Sequence, residues 1–138
     1  MTSTATIHRE QLNDAQRMSH TAKLFGIHFP MRLEPFVFGI TERLSADYQG
    51  GFWQFYALSN GGFYMAPDSD TTFRVSCENG YEGDMSADAL GITACLYAYS
   101  NLSFSEGSFA ETCAQHYHWL REYAMEHAEV AAILRATD

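Results

Sequence analysis

Residues 50–66 read Gly-Gly-Phe-Trp-Gln-Phe-Tyr-Ala-Leu-Ser-Asn-Gly-Gly-Phe-Tyr-Met-Ala. Two aromatic runs flank the dipeptide Asn60-Gly61, and both of these residues tolerate the positive φ that a type I′ turn requires. The stretch therefore predicts a tight aromatic β-hairpin. It contains no residue pattern of a catalytic site.

A two-residue turn at Asn60-Gly61 would fix the register of this hairpin. Leu58 would then oppose Phe63, since paired residues lie at equal distances from the turn. One sheet face is expected to carry Tyr56, Leu58, Phe63 and Met65, and the other Trp53, Phe55, Ala57 and Tyr64. Both faces are apolar, which is unusual for a sheet with one face in water.

The hairpin is followed by two further predicted strands. Residues 72–77 alternate between apolar and polar side chains, as a half-buried strand does. Asn79-Gly80 offers a second primed turn, which leads into a short strand over about 81–85. Together these strands predict a small antiparallel meander sheet of three to four strands.

Helical patterns lie on both sides of the meander. Ser86 is placed to cap a helix that is apolar almost all round, and Ser108 with Glu111 forms a capping-box pattern. The segment 20–34 is expected to be an irregular connection. The predicted helices cover 7–19, 35–46, 87–100, 108–126 and 128–136.

This order of elements predicts an α+β fold in which the meander packs with four to five helices. The length of 138 residues fits a single domain over 1–138 with one core. Residues 1–6 are polar and are expected to be disordered.

The charge is distributed unevenly along the chain, whose formal net charge is −9. Residues 44–138 carry three basic and thirteen acidic residues, a balance of −10, whereas residues 1–43 have a balance of +1. Such a surface repels nucleic acid and attracts a basic partner. The sequence shows no apolar signal core and no membrane span, so we expect a cytoplasmic protein.

The residues that could carry chemistry do not form a strong motif. Cys113 and His116 are three apart on a predicted helix, but a zinc site would need further ligands from Cys77 or Cys95. Three reduced, packed thiols are the simpler interpretation. His118 shares a stripe with Glu122 and Glu126, a pattern that is more often a solvated helix face. We therefore expect no catalytic residues, cofactor or metal, and keep an enzyme as an alternative.

An acidic cluster is the best candidate for a binding surface from the residues alone. It consists of Asp68, Asp70, Glu78, Glu82, Asp84 and Asp88. Such a cluster is usually solvated surface. The alternative is a DNA mimic that competes for a basic groove, although seventeen acidic residues in 138 are thin for that role.

Three segments together resemble the KlcA/ArdB antirestriction proteins, a family encoded on plasmids and other mobile elements. The first covers 47–53 and 55–67, including the hairpin. The second is Gly83–Ala89 followed by Gly91-Ile92, and the third is Ala131–Ala136 with Asp138. The resemblance covers about residues 31–138.

The resemblance implies an α+β protein that protects incoming plasmid or phage DNA by inhibiting the type I restriction enzymes of a bacterial host. It supplies no catalytic residues, and it implies a protein distinct from the elongated, strongly acidic DNA mimics. We expect inhibition by contact with the restriction enzyme or an associated host protein. The candidate interaction residues are Trp53, Phe55 and Tyr64 on one sheet face, if helices leave it uncovered, and Glu82, Asp84 and Asp88.

Overall fold

The computed structural model describes residues 6–138. Its elements are β1 (Arg9–Gln11), α1 (Asp14–Phe25), a π-helical segment (Phe29–Leu33), α2 (Glu34–Leu44), β2 (Trp53–Leu58), β3 (Phe63–Pro67), β4 (Thr72–Ser76), β5 (Glu82–Ser86), α3 (Ala87–Leu102), α4 (Ser108–Ala124) and α5 (Val130–Thr137). The α+β class is confirmed. One hydrophobic core draws on residues from Leu12 to Ala136. The tail expected at 1–6 falls outside the described residues, except for Thr6, which is exposed.

The strands form two antiparallel sheets, so the prediction of a single meander is wrong. Sheet one has the order β1-β2-β3, and sheet two pairs β4 with β5. The reason lies at the outer edge of β3. The Tyr99 hydroxyl of α3 donates to the carbonyl of Phe63 at 2.7 Å, and the Cys95 thiol lies 3.6 Å from the carbonyl of Met65. Because α3 covers this edge, β4 cannot pair there.

The N-terminal strand β1 was not predicted, because its three residues are all exposed and carry no apolar alternation. The helix that follows begins later than predicted and runs to Phe25. Its start is fixed by a capping box: the Asn13 side chain accepts from the Gln16 backbone, and the Gln16 side chain accepts from the Asn13 backbone, each at 2.9 Å.

The β2–β3 hairpin turns through three residues, so the predicted two-residue turn is wrong. Leu58 N–H donates to the Gly62 carbonyl at 2.9 Å, and only Gly61 in the loop has a positive φ, of +104°. This is the geometry of a type I turn followed by a bulge glycine. Tyr56 therefore pairs with Tyr64, one residue away from the predicted register.

The extra loop residue moves Tyr64 to the other side of the sheet from Trp53 and Phe55, because a one-residue shift exchanges the faces. Helices cover the Trp53 face. Phe38 of α2 meets Trp53 at a ring distance of 5.2 Å, and Phe29 meets Phe55 at 5.6 Å. Trp53, Phe55 and Tyr64 are all buried.

The three C-terminal helices were predicted within a few residues of their ends. The Ser86 cap is confirmed, since its hydroxyl accepts from Ala89 N–H at 3.1 Å. The predicted capping box at α4 is wrong: Ser108 is already the first helical residue, and Gly107 precedes it without a side-chain cap. α3 is buried on nearly every side, as its all-round apolar sequence indicated.

Candidate functional site

A polar network centred on Asp88 lies where the two sheets meet the N-terminus of α3. One carboxylate oxygen, Oδ1, accepts from the Tyr64 hydroxyl at 2.7 Å and from Arg9 Nη1 at 2.6 Å. The other, Oδ2, lies 2.8 Å from His127 Nε2. Asp88 thus connects β3, β1 and the α4–α5 connection.

A second carboxylate extends this network to β5. Glu129 accepts from the Ser86 backbone at 2.9 Å and from the Ser86 hydroxyl. Its own backbone N–H donates to His127 Nδ1 at 2.9 Å. In a neutral His127 ring the proton is therefore on Nε2, the atom that faces Asp88. We call Arg9, Tyr64, Ser86, Asp88, His127 and Glu129 the Asp88 network.

The electrostatics of the network favour a charged Asp88. Burial by itself raises the pKa of this carboxyl, but the hydrogen bonds from His127 and Tyr64 and the charge of Arg9 outweigh burial and hold the pKa below its ordinary value. Burial together with the Asp88 charge raises the pKa of Tyr64, so its hydroxyl stays protonated and donates. The groups satisfy one another, which makes the network a structural tie.

Aromatic rings complete one side of the network. The Arg9 guanidinium lies 4.3 Å from the centre of the Tyr56 ring, and Tyr56 stacks on Tyr64 at 4.9 Å. Tyr123 of α4 lies 5.7 Å from Tyr64 on centroids. These contacts hold Arg9 in place, because its charge faces both a ring and a carboxylate.

The structure brings together only some of the predicted interaction residues. Tyr64 and Asp88 share the network. Glu82 and Asp84 lie apart on β5 with exposed side chains, and the nearest cation to Asp84 is Arg74 of the paired strand, at 3.7 Å. All three acidic residues lie at the junction of β5 with α3, but only Asp88 belongs to the network, so Glu82 and Asp84 stay candidate interaction residues outside it.

Sequence reasoning missed Arg9 and His127, the two basic members of the network. Arg9 lies in the unpredicted strand β1, and His127 lies in the short connection after α4. One modest indication of the network was present in the sequence. Asp88 follows the helix cap Ser86 by two residues and so lies in the first helical turn, where an acidic side chain commonly has an interaction partner.

The residues considered for catalysis all lie on α4 or just after it, Cys113 and His116 on its buried side and His118, Glu122 and Glu126 on its exposed side. Cys113 is fully buried, and burial raises the pKa of its thiol to about 11. Burial lowers the pKa of His116 to about 4, and its ring lies 4.7 Å from the Phe25 ring. Such a thiol is protonated near neutral pH and is a poor nucleophile. On the exposed stripe of His118, Glu122 and Glu126, the Glu122 carboxylate accepts from the Asn60 amide at 3.0 Å.

Within residues 6–138, no three His, Cys, Asp or Glu side chains converge so that they could hold a metal ion. The three cysteines in this part of the chain are unpaired and buried. None of the described helices is long and apolar enough to cross a membrane.

The acidic cluster is largely exposed. Asp88 is held in its network, but Asp68, Asp70, Glu78, Glu82 and Asp84 point into solvent. Most of these residues lie on sheet two or on the loops beside it.

An apolar groove is formed mainly by the N-terminal part of the chain. It has a volume of about 580 Å³ and is lined by α1, the π-helical segment, the start of α2 and the Phe55 ring. Sequence reasoning treated residues 20–34 as an irregular connection and did not identify this surface.

Comparison with known proteins identifies the family. The model of the antirestriction protein family matches residues 46–138. This chain belongs to the KlcA/ArdB antirestriction family. It is 50% identical over 111 residues to the antirestriction protein KlcA of Escherichia coli, covering 78% of this chain and 76% of that protein. A second KlcA of Escherichia coli is 40% identical over 128 residues, covering 91% of this chain and 90% of that protein.

A solved structure of the family matches the fold throughout. The match covers 100% of this chain and 99% of the other, with a TM-score of 0.90 and 38% sequence identity. That work describes KlcA and ArdB proteins as having a novel fold and antirestriction activity against type I DNA restriction systems in vivo but not in vitro.

The segments that carry the family resemblance converge in this structure. The first supplies Tyr64 of the network, and the second supplies Ser86 and Asp88. The third is α5, whose end is bound by Asn79 in the loop between β4 and β5. The family motif therefore coincides with the residues that join the two sheets to the C-terminal helices.

Proposed function

We propose that this protein inhibits type I restriction in a bacterial host cell and so protects incoming plasmid or phage DNA. The observation that carries the proposal is the match over the whole chain to KlcA and ArdB, with a TM-score of 0.90. The 50% identity to KlcA supports the same activity. The site of action is the host cytoplasm, where restriction enzymes meet incoming DNA.

The mechanism we propose is contact with a protein and not catalysis. In the Asp88 network, each charged group is engaged by a neighbour, and Cys113 and His116 are buried in the core. Because the relatives act in vivo but not in vitro, we infer that the partner includes a host component absent from a reaction of purified enzyme and DNA. The protein thus contacts the restriction enzyme and an associated host protein, or it reaches the enzyme through that host protein.

The test is the plating efficiency of unmodified phage on cells that carry a type I system. Expression of the protein should raise plating at least tenfold. Modified phage, and cells without the restriction system, serve as controls and should show no change. Unchanged plating with soluble protein in the cells would contradict the proposal. Purified restriction enzyme should cut DNA at the same rate with or without the protein.

The exposed acidic side chains favour a second candidate, a DNA mimic that competes for a basic partner. This candidate predicts that Glu82→Lys with Asp84→Lys abolishes protection, since both side chains are exposed and their reversal leaves the core intact. It also predicts direct, steeply salt-dependent competition with DNA. If the protein instead contacts its partner through another surface, the double variant should still protect.

The enzyme alternative is tested on the exposed helix stripe. His118→Gln and Glu122→Gln change solvent-facing residues. Retained protection by both variants would remove this stripe as a catalytic site, and loss of protection with an unchanged fold would restore the alternative.

A further inference from the structure

Sheet one has an open edge at β1. Its other edge, β3, is covered by α3, whereas the three residues of β1, Arg9–Gln11, are all exposed. An exposed strand edge presents N–H and C=O groups with which the backbone of a further strand can pair. The chemistry of such an edge therefore specifies an extended segment as its occupant.

The pairing with β2 shows which backbone groups of this edge face outward. Ser59 N–H donates to the His8 carbonyl at 2.8 Å, and Leu12 N–H donates to the Phe55 carbonyl at 2.9 Å. Even-numbered residues of this segment therefore face β2, because the backbone groups alternate in direction along an antiparallel strand. The residues whose N–H and C=O groups face outward are Ile7, Arg9 and Gln11. Within residues 6–138, no hydrogen bond engages these outward groups.

An apolar groove lies beside the start of β1. It has a volume of about 510 Å³ and is formed by the residues before β1, the loop after β2 and the end of α4. Met125 in its wall is 52% exposed. We call it the Glu126 groove, and its main lining residues are Ile7, Ser59, Asn60, Glu122, Met125 and Glu126.

The charge of the Glu126 groove complements a basic side chain. Glu122 and Glu126 are its charged lining residues, and none of the described residues that line it is basic. The Glu122 carboxylate accepts from the Asn60 amide at 3.0 Å. Glu126 is exposed, and its carboxylate forms no ion pair with a residue in the range 6–138. A lysine or arginine can lay its aliphatic stem on Met125 and Ile7 and keep its charge at Glu126.

Addition of a strand to β1 would direct a side chain into this groove. In paired strands, the side chains of directly opposite residues lie on the same face of the sheet. Because the Ile7 side chain lines the groove, the partner residue opposite Ile7 carries its side chain on the groove side. The open edge and the acidic groove are therefore suited to the same occupant, an extended segment with a basic residue at that position.

The charges of β1 disfavour a second copy of this chain as the partner. A two-fold antiparallel pairing centred on Glu10 would place the two Glu10 side chains opposite each other. A pairing centred on Arg9 would do the same with two arginines. Like charges directly opposite each other destabilise a strand pair. The edge is thus suited to a segment of a different protein.

We propose that β1 binds an extended segment of a host protein as a fourth strand of sheet one, with a lysine or arginine of that segment at Glu126. This inference rests on the proposed function, since the segment belongs to the host component through which protection operates. The contact uses the backbone of Arg9, whose side chain remains in the Asp88 network.

The first test uses two substitutions, each with a matched control. Gln11→Pro removes an outward N–H and leaves the bonds between β1 and β2 in place, since an edge strand tolerates proline where its N–H faces solvent. Gln11→Ala is its control. Glu126→Lys reverses the charge of the groove. Its control is Glu106→Lys, which changes an exposed residue of the α3–α4 connection by the same charge.

Gln11→Pro and Glu126→Lys should each lower protection in the phage assay at least about tenfold, because one blocks the edge and the other repels the basic residue. Both controls should protect as wild type does, and thermal unfolding should show that all four variants are folded. If wild-type protein fails to protect, the proposed function is wrong. If wild type protects and either Gln11→Pro or Glu126→Lys protects equally, the function stands and the strand proposal is wrong.

The second test uses wild-type protein and synthetic peptides, and needs no restriction system. The probes are two eight-residue peptides of threonine and valine, one with a central lysine and one with a central glutamate. At 1 mM, the lysine peptide should shift the amide NMR signals of Ile7, Arg9 and Gln11 and slow their hydrogen exchange, because these N–H groups become paired. The glutamate peptide should bind more weakly, and Glu126→Lys should reverse this order.

Three results of the peptide experiment would overturn the proposal. The first is that the three amide signals do not respond to the lysine peptide, and the second is that both peptides bind equally. The third is that the same signals shift when the concentration of the protein alone is raised and sedimentation shows a dimer, which would assign the edge to a second copy of this chain.

Discussion

The β2–β3 hairpin and the β4–β5 hairpin turn through the same kind of loop. Each has three loop residues with an Asn-Gly pair at the end, and the glycines Gly61 and Gly80 have φ values of +104° and +94°. In each loop the asparagine Oδ1 accepts a backbone N–H two residues later, at 3.0 Å for both Asn60 and Asn79. Both pairs suggested two-residue primed turns, so the same correction applies twice.

Both asparagines also bind a C-terminal helix. The Asn60 amide donates to the Trp119 carbonyl of α4 at 2.9 Å. The Asn79 amide donates to the carbonyls of Arg135, at the end of α5, and of Asp138, at 2.9 and 2.8 Å. The loops therefore hold the C-terminal helices as well as turning the chain, which explains why an asparagine side chain is useful at both positions.

The two hairpins differ in what covers them. Every residue of β3 is buried, whereas β4 alternates between buried and exposed side chains. The outer edge of β3 faces α3, but the backbone N–H of Arg74 at the edge of β4 is bound only by the Asp47 carboxylate, at 2.8 Å. Similar loops thus serve a fully buried strand and an edge strand, and the helices decide between the two environments.

The largest expected effect comes from forcing α3 away from β3. Gly91→Ala would place a Cβ 2.4 Å from the Ala66 Cβ and 2.5 Å from the Met65 carbonyl, and backbone atoms cannot move aside. We expect a loss of about 3 kcal/mol in the free energy of unfolding. Urea denaturation measures it.

The matched control is Gly39→Ala in α2, where an added Cβ meets nothing within 4 Å. The same substitution should stabilise this helix by about 0.5–1 kcal/mol. Equal effects at Gly39 and Gly91 would show that α3 does not pack tightly on the first hairpin.

The next effect concerns Asp88, where the two hairpins are connected. Asp88→Asn keeps the shape but removes the charge that faces Arg9 and His127, so we expect a loss of about 2 kcal/mol at pH 7. The folded-state pKa of Asp88 lies below its ordinary value of 3.8. Its contribution is therefore present above the unfolded pKa and is lost as pH falls through the folded pKa.

Chemical denaturation at pH 7, 5 and 3 checks this prediction. The difference between wild type and Asp88→Asn should be smaller at pH 3 than at pH 5, because the Asp88 carboxylate becomes protonated in the unfolded and then in the folded protein. A difference that is as large at pH 3 as at pH 5 would contradict a stabilising Asp88 charge. Glu129→Gln gives a comparison on the β5 side, because Glu129 binds Ser86 rather than Arg9.

The sequence predicted the elements that depend on local chemistry. The Ser86 cap, the alternation of β4 and the all-round apolar pattern of α3 each follow from residues near one another in the chain. The predicted register is wrong because the loop has three residues, and the Asn60 in this loop binds Trp119, a residue 59 positions away that a local pattern does not include. Strand β1 was not predicted for a similar reason. Its residue Arg9 is held by Tyr64 and Asp88, and the strand has no apolar pattern of its own.

The site was predicted only in part for the same physical reason. Asp88 and Tyr64 were selected, but their connection to each other depends on which face Tyr64 occupies, and that face depends on the loop length. The groove combines helix residues with Phe55 of β2, so it exists only after the chain has folded.

A smaller effect is expected from the two loop glycines, and it should differ between the hairpins. Alanine at either position is strained, because both glycines have φ values in the left-handed region. At Gly61 the added Cβ would also lie 3.2 Å from the Trp119 ring, whereas at Gly80 it meets nothing within 4 Å. We expect losses of about 2 kcal/mol for Gly61→Ala and about 1 kcal/mol for Gly80→Ala.

Thermal unfolding of the two variants side by side measures this difference. Equal losses would indicate that the Trp119 ring moves aside, and that α4 is held less firmly by the first hairpin than the Asn60 bond suggests.

The smallest effect is expected on the exposed face of the second hairpin. Arg74 and Asp84 are directly paired across β4 and β5, but their charged atoms are 3.7 Å apart and both side chains are more than half exposed. Water and salt screen such a pair, so Asp84→Asn should change the free energy of unfolding by less than about 0.5 kcal/mol. A loss comparable to that of Asp88→Asn would mean that the second hairpin depends on its surface charges. The difference in how far helices bury the two hairpins would then no longer explain why they tolerate substitutions differently.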